Sequence, residues 1–220
     1  TGQDLAAAAV LIDDALARVQ ALSTLSGLHP ATNAAPADAL RPNAERQSII
    51  GSAWKRKALI LLRSPEPEKD AVREALLRAR DAYARGEADA RATDWNPYAR
   101  INRLQLDAVL GETPAGEVDA SACAAAARTR FEHRFEFWDA VMAADATLAG
   151  WLGGAALPEG RSAVEVLSQA YRDTLETVAA SPRELDSTFV QIGLLADFLL
   201  LQGGEEQLAQ AKVLKEVIAV

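Results

Sequence analysis

The chain has 220 residues, 50% of them hydrophobic and 25% charged, a balance that suits one large domain or a short solenoid and argues against dominant disorder. No apolar run approaches the roughly 18 residues of a membrane span, the longest candidate being Phe198-Leu199-Leu200-Leu201, so no membrane partner is expected. The net charge of −8 divides into −3 over residues 1–40, +3 over 41–134 and −8 over 135–220, which argues against generic nucleic-acid binding by the whole chain.

Residues 4–25 place Leu5, Ala8, Ile12, Leu16 and Val19 at helical spacing, predicting a first helix with one apolar face. Gly27 to Pro42 holds three prolines and reads as a flexible loop. Asn43 then caps a helix running to about Arg63, and Ser64-Pro65 starts another reaching about Arg85, the two forming a hairpin. A helix follows from Trp95 to Leu110, with Gly111 as a left-handed cap. Val118 to Leu152 contains no proline, yet its composition turns from alanine-rich to aromatic near His133, so it reads as one long helix or as two joined by a tight break around Glu132 to Glu136, and its length favours the break. Residues 161–180 form a further helix. Ser181-Pro182-Arg183-Glu184 has the capping-box spacing and opens a helix to Leu201, stopped by Gly203-Gly204, and Glu205 to about Ile218 closes the chain.

No strand pattern competes. The expectation is a single all-α domain over residues 1–220, a right-handed stack of antiparallel helical hairpins with about eight or nine helices. Helix ends near Leu62, Leu110, Leu152 and Gln202 recur at about 42 to 50 residues, longer than the roughly 34 of a regular two-helix repeat, so an irregular or armadillo-like array is the alternative. The chain starts Thr1-Gly2-Gln3-Asp4, without an initiator methionine or a basic leader, and is expected to be a segment of a longer protein. Its one cysteine, Cys123, cannot form an internal disulfide and suits a reducing cytoplasm.

The repeat signal lies in small residues that admit bulky ones from a packed neighbour. Gly51 and Trp54 stand on one predicted helix, Ala79 and Tyr83 on the next, and these four are the expected structural contacts. Together with Glu45-Arg46, Ile50 to Arg56, Asn96-Pro97-Tyr98, Ile101-Asn102, Phe137-Trp138 and Ser181 to Gln191, they make the chain resemble the tetratricopeptide-like helical region that adjoins caspase-like and other effector domains in bacterial multidomain signalling proteins. The same residues are similar to the TRAFs-binding region of stress-kinase regulators. The resemblance implies a non-catalytic interaction and regulatory scaffold, with a protein or acidic peptide as partner, or an effector domain in the same longer chain. Trp54 departs from the usual tyrosine of the family, and the proline after the second helix is missing.

Catalytic readings find little support. The two histidines are His29 and His133, and Cys123 would lie about 15 Å from His133 along a continuous helix. Glu132-His133 with Glu136 and Asp139 has a chelating spacing but lacks a second Glu-x-x-His, so no metal is expected, and the absence of a phosphate-binding loop leaves no cofactor expected. The basic middle is the remaining candidate. Lys55, Arg56, Arg100, Asn102 and Arg103 are expected to line a concave groove that holds a carboxylate or acidic segment. Weak self-association through the acidic C-terminal third of a second copy is a corollary, and a helical array contacting nucleic acid through the basic middle is the alternative function.

Overall fold

The computed structural model describes residues 2–28, 36–90, 95–112 and 117–219. All regular structure among them is helical: α1 (Gly2–Leu28), α2 (Pro36–Leu62), α3 (Lys69–Ala90), α4 (Tyr98–Leu110), α5 (Glu117–Arg134), α6 (Phe137–Leu152), α7 (Ala163–Thr177), α8 (Pro182–Gln202) and α9 (Glu205–Ala219). The residues cluster into two compact units, Thr1–Arg103 and Leu104–Val220, and the division falls inside α4.

In the first unit, α1 and α3 both pack on α2. Cross-contacts show that α2 and α3 run antiparallel: Asn43 bonds Asp89, Gln47 accepts from Arg85, Ser52 meets Tyr83, and Trp54 lies under Arg78. The helices approach closely because the buried positions between them are small, including Ala58, Ala75, Ala79 and Ala82. Leu76 and Tyr83 supply bulk and are fully buried, each contributing about 1.5–3 kcal/mol by leaving water.

In the second unit, α5 and α6 are antiparallel, since Arg130 bonds Asp139 near one end and an added Cβ on Gly150 would meet Ala120 near the other. The pair α8 and α9 is antiparallel as well, with Lys215 on Asp197 and Ile218 near Gly193. Their core is built on Leu148, Leu167, Ile192, Phe198 and Leu214.

Several boundaries differ from the sequence expectation. Part of the loop expected over 27–42 is helical, because α1 continues to Leu28 and α2 already begins at Pro36, and residues 29–35 lie outside the described residues. Proline is tolerated in a first turn, where its missing N–H has no intrahelical partner, and Ala37, Ala39 and Leu40 favour helix. Asn43 therefore lies inside α2 and bonds Asp89 instead of capping. Ser64-Pro65 does not start a helix. Pro67 disfavours the helical region for Glu66, so α3 waits until Glu68 offers its carbonyl to Val72 at 3.1 Å.

Gly111 at φ 70 follows α4 and Gly203 at φ 76 caps α8, both in the left-handed region open to glycine. The break between α5 and α6 falls where the composition changes, but through Phe135, which adopts φ 54. Ser181 and Glu184 complete the capping box of α8, and Ser162 with Glu165 forms a second box at the start of α7 that the sequence reading passed over.

Candidate functional site

The first unit contains a largely buried polar network whose members stand at helical spacing. Tyr83 and Glu87 share a stripe of α3, Tyr98 and Asn102 a stripe of α4, and Ser52 of α2 stands between Ser48 and the exposed Arg56 on one stripe. Gly51 brings the α2 backbone against the Tyr83 ring: a Cβ there would fall 2.7 Å from Cζ and 2.8 Å from both Cε atoms. The next residue, Ser52, places its hydroxyl 3.0 Å from the Tyr83 oxygen and 3.1 Å from that of Tyr98. The two rings meet edge to face at 6.0 Å. Burial, then the neighbouring Tyr98, pushes the Tyr83 phenol well above its ordinary pKa, so it stays neutral.

Of the five residues expected to hold a partner, four make hydrogen bonds inside the unit. Lys55 is buried, donates from Nζ to Asn102 Oδ1 at 2.5 Å and lies 5.4 Å from the centre of the Tyr83 ring. Asn102, also buried, donates to the Tyr98 carbonyl at 2.9 Å. Arg100 Nη1 and Arg103 Nε donate to the two oxygens of the buried Glu87 at 2.9 Å and 2.7 Å. These four side chains hold α4 against α2 and α3. A shared carboxylate and an amide thus engage four of the five within the unit, with Arg100 and Arg103 still 12% and 22% exposed.

Arg56 is the exception. It is exposed and makes no hydrogen bond or ion pair among the described residues, its charge acting only on the nearby Tyr83 phenol. It lines a groove of about 400 Å³ whose walls are Ile12, Ala15 and Val19 of α1 with Ile49 and Ala53 of α2, and whose polar groups are Ser48, Ser52 and Tyr98. Ile49 is 53% exposed within it. The surface combines an apolar trough, hydroxyls and one uncommitted guanidinium. The sequence reading missed Ile49, Ser52 and Glu87, which a projection of α2 and α3 at helical period sets beside Ala53, Arg56 and Tyr83.

Trp54 is buried, with Arg78 4.8 Å and Lys57 5.2 Å from its ring centre. The chelating pattern around His133 is not preserved: α5 ends at Arg134, Glu136 is held by Arg134 at 2.7 and 2.8 Å, and the exposed His133 places Nδ1 2.7 Å from the Thr129 carbonyl. Among the described residues no group of three or more His, Cys, Asp or Glu side chains is placed to hold a metal ion, and no helix is long and apolar enough to cross a membrane. His29 lies outside the described residues.

No curated protein and no solved structure matches the chain. Residues 4–107, a little under half of the chain, match the model of the family described as Tetratricopeptide Repeats-Sensor, and this part is a tetratricopeptide-like repeat region.

Proposed function

We propose that the chain is a non-catalytic protein-interaction and regulatory module whose groove between α1 and α2 holds a segment of a partner protein or of a neighbouring effector domain. Tetratricopeptide-type repeats point to protein interaction as the general role. The observation that carries the finer reading is Arg56, exposed and uncommitted beside an apolar trough that includes the half-exposed Ile49. An occupant that suits both features is an amphipathic segment with an acidic side chain next to aliphatic ones. The family name describes a sensor, and in this reading the sensed event is capture of that segment in a longer cytoplasmic signalling protein of bacterial type. The nucleic-acid alternative loses ground because Lys55, Arg100 and Arg103 are engaged internally.

Selection of a random displayed peptide library against the chain tests this reading. Enriched peptides should combine Asp or Glu with Leu, Ile or Phe, weaken as salt rises, and lose binding to Arg56→Glu and to Ile49→Asp. Both positions are exposed, so helical content should not change. Peptides that bind Arg56→Glu as well as the parent would remove the groove from consideration.

A further inference from the structure

The second unit has a groove of its own, about 340 Å³, between α5, α6 and α7. Arg128, Phe131 and Glu132 line it from α5, Thr147 from α6, and Asp173 and Thr174 from α7, with alanines between them. Its polar groups are mostly acceptors. Thr147 and Thr174 each donate to a carbonyl one turn back, Ala143 and Ala170, at 3.1 Å, and Thr177 donates to that of Asp173 at 2.5 Å. What these hydroxyls have left for a ligand is lone pairs.

Carboxylates add to that character. Glu132 is exposed and without a side-chain partner among the described residues. Asp139, also in the lining, is only 3% exposed. Its Oδ1 accepts from Arg130 at 3.1 Å, while its Oδ2 accepts no hydrogen bond and has Arg134 Nε as an ion pair at 3.4 Å. Arg128 is the one cation of the lining, set against Glu132 and against Asp173, whose Oδ1 accepts from Gln169 Nε2 at 2.5 Å, while Asp139 is already met by Arg130 and Arg134. Around the groove, residues 104–220 hold 8 Lys and Arg against 18 Asp and Glu.

The aromatic edge points the same way. Phe131 is joined edge-on by Phe135, ring centres 5.6 Å apart. Phe135 is 71% exposed and holds a positive φ of 54, so it bears left-handed strain without the burial that would offset it. An aromatic face beside acceptors in an acidic unit is complementary to a planar cation.

We propose that this groove receives an arginine side chain presented by a segment of a partner protein, its guanidinium among Glu132, Asp173 and the threonine oxygens and its plane against Phe131. Arginine fits better than lysine because its five donors fan out in a plane, which separated acceptors and a ring face meet at once, whereas an ammonium is a compact point charge. The site uses none of the residues of the groove between α1 and α2, so either reading can fail without the other.

The test titrates the full chain with two blocked peptides, Ala-Leu-Arg-Leu-Ala and the same peptide with citrulline for arginine, followed by amide chemical shifts. The arginine peptide should shift Phe131, Thr147 and Thr174, and the citrulline peptide should bind about ten-fold more weakly, about 1.4 kcal/mol. The double variant Glu132→Gln with Asp173→Asn should lose a similar factor while its circular dichroism stays that of the parent. Equal binding of the two peptides, unchanged affinity in the double variant, or no shift in these residues overturns the proposal. Spermidine binding as tightly as the arginine peptide also overturns it, since the groove would then be a site for free polyamines.

Discussion

Gly51 and Tyr83 are in contact so close that the Tyr83 ring fills the space a side chain at Gly51 would need: a Cβ would stand 2.7 Å from the ring carbon bearing the hydroxyl. The ring has nowhere to retreat, being fully buried, bonded through its oxygen to Ser52 and set edge-on against Tyr98. Gly51→Leu should cost about 1–3 kcal/mol by overpacking, more than the roughly 1 kcal/mol that leaving glycine gains in a helix. Urea titration should show a lower midpoint. A variant as stable as the parent would mean that α2 and α3 can part without penalty.

A second prediction contrasts two ion pairs. Glu87 is buried and shared by Arg100 and Arg103, whose side chains are 12% and 22% exposed, whereas Glu74 and Arg78 form an i,i+4 pair with both partners more than half exposed. Removing one member of a buried pair leaves a charge in a poor solvent; an exposed one returns to water. Glu87→Ala should destabilise by about 3 kcal/mol and Glu74→Ala by less than about 1 kcal/mol. Equal losses in denaturant melts would show that the Glu87 cluster is as well hydrated as the surface pair.

The two buried phenols predict behaviour in alkali. Tyr83 is pushed well above its ordinary pKa by burial and then by Tyr98, and Tyr171 by burial and then by Asp145, to which it donates a hydrogen bond at 2.7 Å. A raised folded-state value means the fold retains protons that the unfolded chain gives up. The stabilisation is fully present below the unfolded value near 10 and is lost as pH rises above it. In a spectrophotometric titration, two of the three tyrosines should ionise only as the helical signal collapses. All three ionising while the helices persist would contradict this.

Much of the helical plan was legible because it rests on local chemistry. Ser181-Pro182-Arg183-Glu184 and Gly203 mark the ends of α8 through hydrogen bonds and a backbone angle that depend on their own residue types. Ser162 and Glu165 carry the same spacing and could have been read in the same way. Where two local tendencies compete, the outcome was not legible: alanines against prolines between 27 and 42, or Ser64-Pro65 against the following Pro67. The fate of the basic side chains was hidden for another reason. That Glu87 would take both Arg100 and Arg103, and Asn102 would take Lys55, depends on how α2, α3 and α4 meet, which charge counting along the chain does not reveal.

The capping boxes of α7 and α8 connect stability to acid. Ser162 Oγ accepts from the Glu165 backbone N–H, Ser181 Oγ from that of Glu184, each at 3.3 Å, and each glutamate accepts in return from the serine N–H at 2.8 and 2.7 Å. Those hydrogen bonds, the backbone one first, lower the pKa of both glutamates from the ordinary 4.5. A carboxylate with a lowered folded value contributes stability that is present above its unfolded pKa and is lost as pH falls through the folded one. Ser181→Ala should therefore cost about 1 kcal/mol at neutral pH by removing the acceptor for the Glu184 N–H. Glu165→Gln and Glu184→Gln should instead flatten the decline in stability below pH 4.5, the parent and the double variant converging as acid protonates the parent's glutamates. Parallel melting curves for parent and double variant throughout that acid range would show that the two boxes do not contribute to the pH dependence.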